Sequence, residues 1–119
     1  MTSRGELNAI NMKAQMRKGV LDFLVLLIIS QKEAYASDIL GLLKKSDFIV
    51  VEGTLYPILS RLKGAEYLTY SWKESKNGPP RKYYKLTTVG EKALLELKGS
   101  WKSFESSINK LINKYEKGN

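Results

Sequence analysis

Apolar residues first crowd together at 23–29 (Phe, Leu, Val, Leu, Leu, Ile, Ile), closely flanked by Asp22 and Gln31. The density of Leu, Met and Ala around this run, with no proline, predicts a helix over 13–30. It is apolar almost all round from Val20 onward, with Gly19 its one weak point, and is therefore a core helix. Residues 1–12 have weak periodicity and read as a mobile tail or a helix extension. Gln31, Lys32 and Glu33 break the pattern. Tyr35, Ile39, Leu42 and Leu43 then recur at helical spacing and predict a short amphipathic helix over 34–45. A turn and a brief extended piece at 46–50 lead to a third helix starting near 51–54. Its buried face is Leu55, Ile58, Leu59 and Leu62, and its exposed side carries Thr54, Ser60, Arg61 and Lys63. Pro57 fits this helix if it lies in the first turn, where a missing amide hydrogen costs nothing. Next, YLTYSWKE and RKYYKLT flank SKNGPP: a hairpin whose loop, longer than the two-residue form, should project. Thr87 or Thr88 caps a long final helix, Thr88 through a capping box with Glu91. Along it Leu94, Leu97, Trp101, Phe104, Ile108, Leu111 and Tyr115 recur alternately at three and four residues, a heptad seam that needs a partner helix.

Three helices, a hairpin and a trailing helix make a mainly α (α+β) fold: a winged helix-turn-helix with a two-stranded wing and a long C-terminal dimerisation helix. The divisions expected are a DNA-binding unit over 13–86, a dimerisation helix over 87–116 and a tail at 117–119. A total of 119 residues, 43% of them hydrophobic, suits one domain with a modest core. The chain has neither cysteine nor histidine. That removes Cys and His nucleophiles, a histidine general base, the common zinc clusters and disulfides. Asp22, Asp38, Asp47 and Glu52 show no pairing suited to acid–base work, so no catalytic residue, metal or cofactor is expected. Seven apolar residues in a row are far short of the roughly 20 of a membrane span. The first residues lack a signal core, so a cytoplasmic location is expected.

Charge adds a partner. The net charge is +8, and residues 54–85 hold seven basic and two acidic side chains, so +5 of it lies on the third helix and wing. Double-stranded DNA fits that excess, with the helix in a major groove and the wing against backbone or minor groove. The same charges also suit an ordinary solvated surface, and a protein-interaction or architectural module is the rival reading. Tyr67, Tyr83 and Tyr84 read first as hairpin and core packing, whereas Tyr56 either fills the core or reaches a phosphate.

The stretch Glu52, Gly53, Thr54, Leu55, Tyr56, Pro57, Ile58, Leu59, Ser60, Arg61, Leu62, then Tyr70, Ser71, Trp72, and the string from Asn77 through Gly78, Pro79, Pro80, Arg81, Lys82, Tyr83, Tyr84, Lys85, Leu86 and Thr87 to Gly90, resembles the PadR family of bacterial transcription regulators. The resemblance spans about 17–115, and its single final helix is similar to the short-tailed branch with multidrug-sensing repressors of the LmrR type. It implies a homodimer that binds a palindromic operator, usually as a repressor, and often lets go when a small molecule binds. Carried onto this chain, it places Thr54, Tyr56, Ser60, Arg61 and Lys63 on the DNA-reading helix, with Arg61 the leading donor. Lys76, Arg81 and Lys82 fall on the wing, and Tyr35 near the DNA backbone. Leu94, Leu97, Trp101, Phe104, Ile108, Leu111 and Tyr115 would form the dimer interface, where Trp101, Phe104 and Ile108 could line a cavity for a planar or cationic effector. Three positions depart from the family pattern. Val51 replaces a frequent serine, which deprives the reading helix of its side-chain cap. Glu66 stands where a glycine commonly ends that helix, and Ala36 replaces a glycine after Tyr35.

Overall fold

The structure, a computed structural model, describes residues 2–116. The tail expected at 117–119 lies outside the described residues. Helix α1 (Arg4–Gln31) opens where Ser3 Oγ accepts from the Glu6 amide at 3.1 Å. That cap starts the helix well before residue 13, so residues 4–12 are helix extension rather than mobile tail. Its first four turns bury nothing; burial begins at Leu21 and continues with Val25, Leu26 and Ile29.

Helix α2 (Ala36–Lys45) begins two residues later than expected. The reason is a competing pairing: the Ala34 amide donates to the Tyr84 carbonyl at 3.1 Å, and the Tyr84 amide returns a bond to the Ala34 carbonyl at 2.8 Å. At its other end, Asp47 turns into the left-handed region with φ 66°, and the Phe48 and Asp47 amides donate back to the Leu43 and Lys44 carbonyls.

Helix α3 (Glu52–Gly64) ends in the same way, with Glu66 at φ 66° and the Tyr67 and Glu66 amides donating to the Leu62 and Lys63 carbonyls. Glu66 therefore occupies the conformation for which glycine is the usual solution, as its position in the sequence implied. Val51 stands at the N-cap with no side-chain bond. Pro57 is the sixth residue of α3, beyond the first turn. Its ring nitrogen cannot donate to the Gly53 carbonyl one turn back, and because both residues are exposed that acceptor is left to solvent.

Strands β1 (Leu68–Ser75) and β2 (Gly78–Leu86) pair antiparallel from Leu68–Leu86 to Ser75–Gly78. Only Lys76 and Asn77 remain unpaired at the tip, so the expected longer loop is a tight turn. Pairing continues past the prolines because the register slips between Lys73 and Ser75, opposite Pro79 and Pro80, where amide donors are not needed.

Helix α4 (Thr88–Glu116) is capped by Thr87, not Thr88. Thr87 Oγ1 accepts from the Gly90 amide at 3.0 Å and donates to the Glu66 carbonyl at 2.5 Å, and its amide donates to Tyr67. One threonine thus starts α4 and docks it onto the end of α3, and the Thr88–Glu91 box does not form. Gly90 seals the joint: a Cβ there would lie 2.1 Å from the Tyr67 carbonyl oxygen.

One core results, built from α1, from Ile39 and Leu43 of α2, from Leu55, Ile58, Leu59 and Leu62 of α3, and from Leu68, Tyr84 and Leu86 of the hairpin. Leu94 is 4% exposed and closes this core from α4, so it is a core residue and not a seam residue; Leu97, one turn on, is 37% exposed. Everything from Leu95 to Glu116 is exposed. No helix among the described residues is long and apolar enough to cross a membrane.

Candidate nucleic-acid interface

Strand alternation sorts the wing into two faces. Leu68, Tyr70 and Trp72 pair with Leu86, Tyr84 and Lys82 on the face turned to α3. Lys63 of α3 holds its ammonium 5.2 Å from the Tyr70 ring there, and Lys82 sits 4.2 Å above the same ring and 5.3 Å from that of Trp72. The other face presents Lys73, Tyr83 and Arg81. Arg81 lies 4.5 Å over the ring of Tyr35, which packs 5.2 Å from Tyr83. Lys73 covers the far side of Tyr83 and pairs with Glu33.

Tyr35, Tyr56, Ser60, Trp72, Arg81 and Lys82 border one open cleft of about 450 Å³ between the start of α2, α3 and the wing. Its cations are mounted on aromatic rings, which fix their positions while leaving their charge exposed. The cleft mixes polar and apolar surface, and its two cations, Arg81 and Lys82, face one acid, Glu52; no buried side-chain polar atom among the described residues lacks a partner. Burial pushes the phenol of Tyr84, at the cleft base, above its ordinary pKa, with Tyr56 and Tyr70 adding smaller contributions. Thr54 does not border this cleft: it is exposed on another side of α3, beside Arg17, Leu21 and Phe48, and Lys76 lies exposed at the wing tip.

Arg61 is placed differently. Its Nη2 donates to Asp22 Oδ1 at 2.7 Å and its Nε to Asp22 Oδ2 at 3.2 Å, a two-pronged grip on α1. That bonded carboxylate raises the guanidinium pKa above the usual arginine value. The arginine expected to lead DNA contact is instead engaged within the chain, tying α3 to α1.

Trp72 is the residue that pattern reading passed over: it is 62% exposed and borders the cleft. The signal was its parity with Leu68 and Tyr70, which puts it on the α3 side of the wing. Of the α4 seam, Trp101, Phe104, Ile108, Leu111 and Tyr115 are exposed, as are Leu7, Ile10, Met12 and Met16 of α1. The three residues expected to meet an effector thus lie on the surface of the single chain. Among the described residues, no group of acidic side chains could hold a metal ion.

The model of the transcriptional regulator PadR-like family matches residues 25–96, which run from the core of α1 to just past Leu94. A PadR-like transcription factor from Bacteroides fragilis is 53% identical, with 85% of this chain and 98% of that chain covered and a TM-score of 0.73. A PadR-like transcriptional regulator from Bacillus cereus is 39% identical, covering 82% and 96%, with a TM-score of 0.74. A PadR family transcriptional regulator from Eggerthella lenta is 28% identical over 93% and 94% of the two chains, with a TM-score of 0.78. These are regulators of transcription, not enzymes. With the family model matching more than half of its residues, this chain belongs to the PadR-like family of transcriptional regulators.

Proposed function

We propose that the chain is a homodimeric, sequence-specific operator-binding repressor of the short-tailed, LmrR-like type, working in the cytoplasm and released by a small aromatic or cationic ligand. The observation that carries the DNA part is the meeting of Tyr56 and Ser60 of α3, Tyr35 at the N-cap of α2 and Arg81 and Lys82 of the wing around one cleft, where two cations outnumber the one acid, Glu52. Helix α3 would enter a major groove, with Thr54, Tyr56, Ser60 and Lys63 facing base edges and the near backbone. Tyr35, Lys76, Arg81 and Lys82 would neutralise or hydrogen-bond phosphates, which sets register without reading sequence. Arg61 joins them once its bond to Asp22 opens, and otherwise fixes the angle of α3.

Dimerisation is supported by apolar surface that one chain leaves uncovered: Leu97, Trp101, Phe104, Ile108, Leu111 and Tyr115 on α4, and Leu7, Ile10, Met12 and Met16 on α1. An apolar cleft of about 860 Å³ between α1 and α2, bordered by Leu24, Leu27, Ile28, Leu42 and Phe48, offers more. Two copies pairing through α4 would set two reading helices about one DNA turn apart, as a palindromic operator requires. Trp101 from each copy would then flank the effector, held by stacking and cation–π attraction, with Phe104 and Ile108 beside it.

Affinity for duplex from upstream of the chain's own gene, measured against salt, tests the central claim. Steep loss with rising salt is expected, and Arg81→Ala with Lys82→Ala should flatten the slope by about two units per protomer. Absence of duplex binding at low salt would refute the reading. A panel of planar cationic dyes tests the effector: release of bound duplex supports it, and retention with every dye counts against it.

A further inference from the structure

Trp72 is an expensive residue to leave on a surface, and four observations fix what it faces. It is 62% exposed, although its neighbours on the same wing face, Leu68 and Tyr84, are core residues. Its parity on β1 and its place on the cleft border set it on the side of the wing that α3 occupies. The ring of Tyr70 meets it edge-on at 6.3 Å, with planes at 87°. Lys82, its cross-strand partner, places an ammonium 5.3 Å from the indole centre. The indole N–H has no acceptor among the described residues.

We infer that Trp72 is a DNA contact in its own right, an aromatic blade that the wing sets into the minor groove beside the half-site read by α3. The inference rests on the DNA-binding reading above and adds a recognition residue to it. The minor groove is about 6 Å wide, too narrow for two strands with their side chains but open to a single aromatic ring entering edge-first. The groove floor carries acceptors at A·T pairs, adenine N3 and thymine O2, which match an indole donor, while a G·C pair places an amino group in the way. Lys82 and Arg81 alongside supply the positive charge that a narrow, strongly negative groove attracts. The wing then does more than neutralise phosphates: it favours A·T over G·C at the base pairs flanking the half-site.

The test uses the full chain and an operator duplex footprinted upstream of its own gene. A second duplex has 2,6-diaminopurine in place of adenine in the flanks, which adds an amino group to the minor groove and leaves the major-groove edge unaltered. Wild type should bind the second duplex about tenfold more weakly. Trp72→Ala should lose about the same on the ordinary duplex, keep the wild-type salt slope, and be indifferent to the substitution. Trp72→Phe should lose part of the affinity, since it retains a ring but no donor. Equal binding of both duplexes by wild type, or wild-type affinity in Trp72→Ala, overturns the inference while leaving DNA binding intact. Failure of wild type to bind either duplex at low salt instead refutes the reading beneath it. If Trp72→Ala melts lower than wild type, the two-duplex comparison with wild type and Trp72→Phe decides the matter.

Discussion

Leu94 and Leu97 stand one turn apart on the same helix, one sealed in the core and the other open to solvent. They mark the border between two kinds of apolar surface. Upstream of it, α2, α3, the hairpin and the second half of α1 satisfy one another within a single chain. Beyond it, α4 from Leu95 to Glu116, like α1 before Val20, carries equally apolar residues that the core does not cover. The spacing of leucines is alike in both regions. What differs is whether the chain itself supplies the opposing face, and on that depends whether a residue contributes to folding or to assembly.

The largest effect is expected at the joint that closes the body. Gly90→Ala drives a methyl group into the Tyr67 carbonyl and should cost about 3 kcal/mol or more, lowering the thermal midpoint by roughly 10 °C or more in a calorimetric scan. Next comes a matched pair across the border. Leu59→Ala opens a cavity in the body and should cost about 2–5 kcal/mol at every protein concentration. Ile108→Asp should leave the body folded and act on association, weakening the proposed dimer by about 2–3 kcal/mol in sedimentation equilibrium. Equal behaviour of the two variants under dilution would erase the distinction between the regions.

Asp22→Asn probes a contact within the body, the tie between α1 and α3. Both groups are partly solvated, so melting should change little. The freed Arg61 should steepen the salt dependence of DNA binding by about one unit per protomer, and an unchanged slope would show that Arg61 stays on α1. The smallest effect belongs to the turn after α3. Glu66→Gly relieves a left-handed residue and should stabilise the body by about 0.5–1 kcal/mol, read as a rise in denaturant midpoint at constant slope.

Much of this was legible in the chain. The inward set of α3, Leu55, Ile58, Leu59 and Leu62, came directly from helical spacing, and Tyr70 and Trp72 fell on one wing face by alternation. Glu66 revealed its left-handed turn through the glycine it displaces. The features that were not legible depend on partners distant in sequence. Ala34 leaves the start of α2 because Tyr84, fifty residues on, offers it a strand edge. Arg61 is taken by Asp22, thirty-nine residues back, and an exposed arginine on a helix face carries no local sign of such a bond. Thr87 wins the cap from Thr88 because only Thr87 can reach Glu66. Pro57 sits beyond the first turn, where a proline is least costly, because four buried residues of α3 outweigh the single amide it forfeits.

The link between α1 and α2 grips the wing by three consecutive residues, each with a different force: Glu33 by charge on Lys73, Ala34 by backbone pairing with Tyr84, and Tyr35 by ring contact with Tyr83 and Arg81. Among the described residues, no comparable contact holds Lys76 and Asn77 at the tip. The hairpin is thus held as far out as the Lys73–Arg81 pair, and the held part and the tip differ in how freely evolution or an engineer can alter the length of the chain. A residue inserted among 33–35 would throw two of the three grips out of step. Residues inserted between Lys76 and Asn77 extend the free end, which makes that tip the natural place to graft a peptide or to vary the wing's reach.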